Sequence, residues 1–257
     1  MKQPERLWSE TNVSDDKPLG LAGGWAGPRT AVNAIACWLA PLALGEEARA
    51  AALALLSPDE TARANRFRSE RDRWRFVAAR ASLRVLLGQA VGREPGRLGF
   101  ILGPGGKPEL DGFPIRFNLS HSGDWAAIAF SSGGEVGVDI EEVHFLDDLD
   151  GMISTSCSPR EAAALAEIPP SERLEAFFQV WTRKEAYLKA LGTGLAKPLE
   201  SFSVTVTPGM PPRLEEGGDG AVSLMDLSGL AGYRGALVCL RRCDSFNVMS
   251  AVGIFGV

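Results

Sequence analysis

The order of elements predicts an α+β fold made of two similar halves. Helical patterns followed by short, antiparallel-looking strand patterns occur twice along the chain. The 257 residues suffice for one large domain or two modest ones. No residue-level repeat is visible, so the duplication rests on pattern alone. The expected layout is a flexible arm over 1–30, a first α+β half over 31–143 and a second over 144–257, joined near 142–150.

Residues 1–30 carry acidic, Gly and Pro residues where a signal peptide needs an apolar run. Ala31 to Leu44 is the longest apolar stretch, but Asn33 and Pro41 interrupt it and it is short for a membrane span. It reads as a buried strand at Val32–Leu39 and its exit. Ser57-Pro58-Asp59-Glu60 has the form of a capping box with proline at the first helical position. The helical stretch that follows, broken near Phe67–Ser69, runs to Gly88, with Phe76, Ala79, Leu83 and Leu87 at helical spacing. Strands are predicted at Leu98–Leu102, Ile115–Leu119, Trp125–Ser131 and Glu135–Glu141, separated by Gly, Pro and Ser turns. In the second half a helix begins near Ser158-Pro159-Arg160-Glu161 and a longer one covers Glu172 to Leu191. Strands follow at Ser201–Val206, Gly232–Arg241 and Asn247–Phe255, with Pro208–Gly220 as a Gly/Pro-rich loop.

Composition narrows the function classes. A net charge of −5 argues against a bulk nucleic-acid binder, although arginine is locally dense. Cys37, Cys157, Cys239 and Cys243 lack CxxC spacing, so neither a zinc site nor a disulfide framework is indicated. A reduced, cytoplasmic compartment fits.

The acidic residues of two segments carry the chemistry. On a strand, Val136, Val138 and Ile140 share one face and Gly137, Asp139 and Glu141 the other, with Gly137 leaving space for a ligand to approach. The same alternation describes a half-exposed edge whose acids are merely solvated. In Trp181–Lys189, Glu185 lies about 40° from Trp181 around a helix, within the apolar face. An unpartnered carboxylate is costly there, so it needs Lys189 at i+4, a buried polar group or a metal. Three hard oxygen ligands suit Mg²⁺ and a lysine suits a phosphate, the parts of a phosphoryl-type transfer.

Other motifs are less decisive. Phe117-Asn118-Leu119-Ser120-His121-Ser122-Gly123 ends a strand in phosphate donors or in a hydrogen-bonded turn. A Ser-His hydrolase needs a nucleophile elbow, and no G-x-S-x-G occurs. Gly103-Pro104-Gly105-Gly106-Lys107-Pro108 is not a Walker A motif, because Pro108 stands where Ser or Thr must hold the metal. Lys107 on its glycine turn is still a usable phosphate contact. Arg63, Arg66, Arg68, Arg71, Arg73, Arg75, Arg80 and Arg84 read mainly as a solvated face, balanced by Glu70 and Asp72, with a minority reaching an anion.

Taken in order, GKP, FNLSHSG, VGVDIE and WTRKEAYLKALGTGL resemble the Sfp-type 4′-phosphopantetheinyl transferases, from about Ser57 to Val206. The resemblance implies the pseudo-twofold fold of that family, with coenzyme A in the cleft between the halves. It implies Mg²⁺-dependent transfer of phosphopantetheine to a serine of an acyl, polyketide or peptidyl carrier protein, releasing 3′,5′-ADP. Asp139, Glu141 and Glu185 match the metal ligands. Lys189 matches the pyrophosphate-binding lysine. Lys107, Ser120 and His121 match contacts to the coenzyme's phosphates and adenosine end, and Arg63 and Arg75 align with residues holding the nucleotide phosphates. Glu185, or a water relayed by Glu141, accepts the serine's proton. Two departures stand out: Glu60 replaces a basic residue of some relatives, which redistributes the phosphate grip, and the aromatic pair before Ser158 is missing. The expected partners are coenzyme A and a carrier, without nucleic acid or membrane, and the expected state is a monomer. The competing readings are a catalytically silent coenzyme- or carrier-binding protein of the same fold and a Mg²⁺-dependent nucleotide hydrolase.

Overall fold

A computed structural model describes residues 34–193, 197–217 and 220–255. The arm expected at 1–30 lies outside the described residues. Strand β1 (Ala34–Pro41) is buried on both faces, as its unbroken apolar run requires. Helix α1 (Glu46–Ala54) follows; its alanine-rich face shows little periodicity, and the sequence pattern missed it. Helix α2 (Pro58–Ala64) starts at the expected capping box, Ser57 accepting from the Glu60 N–H and Glu60 from the Ser57 N–H. The expected break lies between α2 and α3 (Glu70–Val91), where Ser69 caps α3 by accepting from the Asp72 N–H. Gly92 ends α3 at φ 66°, a left-handed turn that a side chain disfavours.

Strands β2 (Phe100–Leu102) and β3 (Pro108–Leu110) form a hairpin around the glycine loop. Strands β4 (Arg116–Ser122), β5 (Trp125–Ser131) and β6 (Val136–Glu142) match expectation closely. Then come α4 (Leu149–Ser156), α5 (Pro159–Ala166) and the long α6 (Pro170–Leu191). The strand expected at 201–206 shrinks to β7 (Ser203–Val204), paired with β8 (Leu214–Glu216) inside the supposed loop. Strands β9 (Ser223–Leu227), β10 (Tyr233–Cys239) and β11 (Ser245–Ser250) complete the fold. No described helix is long and apolar enough to cross a membrane.

Pairing crosses the join. The four-stranded sheet runs β11-β1-β5-β4, with β11 parallel to β1, and the three-stranded sheet runs β6-β10-β9. The last strand of the chain therefore completes the first sheet, while β6 pairs with β10. Alternation along the strands builds three layers of core. Trp38, Phe117 and Ile128 pack on Leu83 and Leu87 of α3. Val238 and Ala236 pack among Phe177, Tyr187 and Leu188 of α6. Between the sheets, Ile35, Cys37 and Leu39 meet Val136, Val138 and Ile140.

The duplication also reaches individual residues, contrary to the sequence reading. Helices α3 and α6 are both 22 residues long and both end at a left-handed glycine, Gly92 and Gly192. Ser158 and Glu161 form a second capping box with proline at the first turn. Glu60 accepts from Arg80 at 2.5 Å and from Arg84 at 2.6 Å; Glu161 correspondingly binds Lys184 of α6. A buried acid clasped to the long helix is thus built twice. Both carboxylate oxygens of Glu60 are held by arginines of α3, which makes this acid a structural clasp.

Candidate active site

The site is made where β6 lies on α6. Gly137 permits that contact, and not the ligand approach expected of it. A β-carbon at Gly137 would stand 2.0 Å from the Ala186 carbonyl oxygen and 2.3 Å from the Ala190 nitrogen. Glycine on the strand and alanines on the helix bring the backbones together, so the neighbouring side chains Asp139, Glu185 and Lys189 share one region. Val136, Val138 and Ile140 are fully buried between the sheets, which excludes the solvated-edge reading of this strand.

Asp139 is 2% exposed. Its Oδ1 accepts from Lys189 Nζ at 2.6 Å and from Ser120 Oγ at 2.8 Å, while its Oδ2 is buried without a partner. Burial pushes its carboxyl above the usual aspartate value, although Lys189 and Ser120 pull the other way. Glu185 is half-buried, and its carboxylate makes no hydrogen bond or ion pair among the described residues. Lys189 therefore pairs across to the strand and not with Glu185, unlike the plain i,i+4 reading. Burial and then the charge of Asp139 raise Glu185. Glu141 is raised by burial; the Ser122 hydroxyl lowers it in part, and Asp139 raises it again.

These acids repel one another, and a buried oxygen lacks a partner. Hard oxygen donors in that condition fit a divalent cation. They are not gathered into a finished cage: among the described residues no three Asp, Glu, His or Cys side chains are placed to hold a metal ion together. Lys189 is the counter-ion of Asp139 in this arrangement.

The phosphate contacts expected from resemblance divide. Lys107 Nζ donates to Glu135 Oε2 at 2.9 Å, to the Val136 carbonyl at 2.9 Å and to the Ala190 carbonyl at 3.2 Å. An ammonium with three donors has none left for a phosphate. Lys107 instead pins the glycine loop over the end of α6, where a β-carbon at Gly105 would collide with the Gly192 carbonyl at 1.9 Å. Ser120 is buried against Asp139. His121, on the opposite strand face, is exposed; partial burial lowers its pKa first, followed by Lys189, Arg75 and Arg63. Those three cations and the imidazole thus share one electrostatic neighbourhood. Arg75 is meanwhile held by Asp124, at 2.8 Å and 3.1 Å, and Arg71 reaches the same carboxylate at 3.4 Å.

The sequence pattern gives no role to Asp124, Glu135 or Asn118, and it offers Ser122 as a phosphate donor where the structure has it accepting from the Glu142 N–H. Asn118 Oδ1 accepts from the Val138 N–H at 2.9 Å and Ser122 Oγ from the Glu142 N–H at 3.1 Å. Together with Ser120 they form a period-two polar stripe that stitches β4 to β6 in place of a backbone ladder. That period was the available signal. An open cleft of about 340 Å³ lies alongside, lined by Gly105, Lys107, Asn118, Glu185, Lys189 and Gly192 among others. A larger hollow of about 440 Å³, between Arg213 and Leu224, shares none of these residues.

Known proteins with similar sequences carry the same chemistry in their names. Residues 135–238 match the 4′-phosphopantetheinyl transferase superfamily, and residues 45–133 match the family described as 4′-phosphopantetheinyl transferase, N-terminal. The 4′-phosphopantetheinyl transferase HetI of Nostoc sp. is 41% identical over 182 residues, 69% of this chain and 76% of that protein. A 4′-phosphopantetheinyl transferase of Bacillus subtilis is 32% identical over 190 residues, covering 72% and 78%. The 4′-phosphopantetheinyl transferase Sfp of Bacillus subtilis strain 168 is 28% identical over 184 residues, covering 71% and 77%. With that likeness extending over both halves and over three quarters of HetI, the chain belongs to the 4′-phosphopantetheinyl transferase family.

Proposed function

We propose that this enzyme moves the 4′-phosphopantetheine arm of coenzyme A onto a serine hydroxyl of an acyl, polyketide or peptidyl carrier protein, with Mg²⁺ held by Asp139, Glu141 and Glu185, and releases adenosine 3′,5′-bisphosphate. The transferase activity is that of the family. The observation that supports this residue assignment best is the meeting of Asp139, Glu185 and Lys189 at the β6–α6 contact, beside an open cleft.

A bound divalent cation supplies neutralisation of charge on the pyrophosphate oxygens. Lys189 then serves the departing phosphate, its ammonium being within reach of the same carboxylate cluster. Glu185 accepts the proton of the attacking serine, its half-buried carboxylate making no competing hydrogen bond among the described residues. Arg63, Arg75 and His121 take the nucleotide phosphates, supported by the electrostatic neighbourhood they share. The protein acts as a monomer, since each half contributes to the site within one chain, and its free cysteines Cys37, Cys157, Cys239 and Cys243 fit a reduced, cytoplasmic compartment.

Incubation with an apo carrier protein, coenzyme A and Mg²⁺ tests the reading. The expected result is a carrier mass gain of one phosphopantetheine, absent when the carrier serine is alanine. No gain across fatty-acid, polyketide and peptide carriers would favour a silent binding protein. Release of nucleotide product without any carrier would favour a hydrolase.

A further inference from the structure

Ser120 occupies a place that a coenzyme contact does not need. It is 7% exposed, and both hydrogen-bonding capacities of its hydroxyl are used inside the protein. Lys189 has only donors, so its bond to Ser120 Oγ at 2.9 Å uses a serine lone pair. The serine's single proton therefore goes to Asp139 Oδ1 at 2.8 Å, and Lys189 closes the ring on the same oxygen at 2.6 Å. The direction of every bond in this ring is fixed by the donor inventory alone.

The ring cannot drift, because the strand that carries Ser120 is held on both sides. Asn118 and Ser122 bind the β6 backbone at Val138 and Glu142, flanking the Ser120–Asp139 bond. Asp139 is consequently turned with Oδ1 toward β4, while Oδ2 is left buried and free. Remove the hydroxyl and the carboxylate can rotate, and Lys189 loses one of its two acceptors. His121, next in sequence but on the other face, is the exposed residue of this strand.

The geometry points to Ser120 as a positioning residue for the cation site, one that fixes Asp139 so that Oδ2 is the oxygen presented to the divalent ion and holds Lys189 beside it, and not as a contact to coenzyme A. This rests on the functional reading above. Outer-shell partners of metal-ligating carboxylates set the orientation of the ligand and commonly carry a tenfold to hundredfold effect on affinity.

Two measurements on the full chain separate the roles. Coenzyme A binding is measured by calorimetry in the presence of a chelator, and Mn²⁺ binding by the electron paramagnetic resonance of the free ion at saturating coenzyme A. Ser120→Ala is expected to lose about tenfold to a hundredfold in Mn²⁺ affinity, with a several-fold smaller loss of coenzyme affinity in chelator, passed on through Lys189. Ser120→Thr, which restores the hydroxyl, is expected to recover Mn²⁺ binding, and His121→Ala to show the opposite pattern, weaker coenzyme binding in chelator. Should Ser120→Ala fail to fold, Ser120→Cys keeps the size without a good hydrogen bond and is expected to show the same Mn²⁺ loss. A folded variant whose coenzyme affinity in chelator falls as far as its Mn²⁺ affinity, or that keeps full Mn²⁺ affinity, overturns the inference. A wild-type protein that binds coenzyme A but no Mn²⁺ overturns the functional reading and the inference with it.

Discussion

Asp139 and Glu185 are both raised above their ordinary values, and for related reasons: each is desolvated, and Glu185 also feels the charge of Asp139. Lys189 offsets part of this for both, which is why a lysine one turn after Glu185 is compatible with a carboxylate cluster rather than bound to one member of it. Loss of Asp139 removes a proposed cation ligand, and loss of Glu185 removes a proposed cation ligand and the proton acceptor together. Glu185→Gln is expected to lower kcat about 10²- to 10⁴-fold, the range for a general base, a loss that added Mg²⁺ does not restore. Asp139→Ala is expected to abolish carrier loading at any Mg²⁺ concentration. Mass spectrometry of the carrier in timed reactions reads both. Near-normal turnover of Asp139→Ala would sink the metal assignment.

Between elements, small residues and buried ion pairs set the distances. Gly137→Ala is expected to push β6 from α6 and cost about 1–3 kcal/mol, as overpacking does. Because the displaced pair carries Asp139, Glu185 and Lys189, turnover should fall further than stability does. Urea denaturation beside steady-state kinetics reads this; a variant with normal kcat would show that the contact does not set the site. Glu60 gives the α2–α3 clasp a pH dependence. Burial alone raises its carboxyl, but the charge of Arg80 and hydrogen bonds from Ser57, Arg84 and Arg80 outweigh it and hold the pKa below 4.5. A depressed folded-state value means the stabilisation is complete above 4.5 and is lost as pH falls through that lower value. Glu60→Gln should therefore melt at a lower temperature than wild type at neutral pH, and the two melting curves should converge as the medium is acidified. A constant gap down to acid pH would remove Glu60 as the source.

At the scale of the molecule, the exchange of strands binds the halves together. β11 lies beside β1 and β6 beside β10, so neither sheet survives the loss of the other half intact. The core between the sheets draws on both as well. The chain is expected to unfold as one cooperative unit, with tryptophan fluorescence and far-ultraviolet dichroism giving coincident transitions in urea. Two separated transitions would show that the halves are independent. The same coupling bears on the proposed site, which takes Asp139 and Glu141 from β6 and Glu185 and Lys189 from α6, because the shared packing holds those two elements in register.

Much of this was legible in the linear chain. Capping boxes and period-two or helical apolar spacing are local, and local interactions act within a few residues, so α2, α3, α5, α6 and β4 to β6 lie within a few residues of the expected bounds. The acids, the lysine and the family motifs were equally visible, since residue type and order survive without a structure. Three assignments needed the fold. Gly137 serves helix packing, Lys107 is consumed by Glu135 and two carbonyls, and Ser120 is turned inward onto Asp139. In each case the deciding partner is distant in sequence and the question is which of several satisfiable hydrogen bonds or contacts is made. The sequence by itself determined which chemical groups this protein possesses and roughly which elements carry them. Only the tertiary structure decided which of those groups are already spent on one another, because burial forces polar atoms to find partners that no local pattern can name.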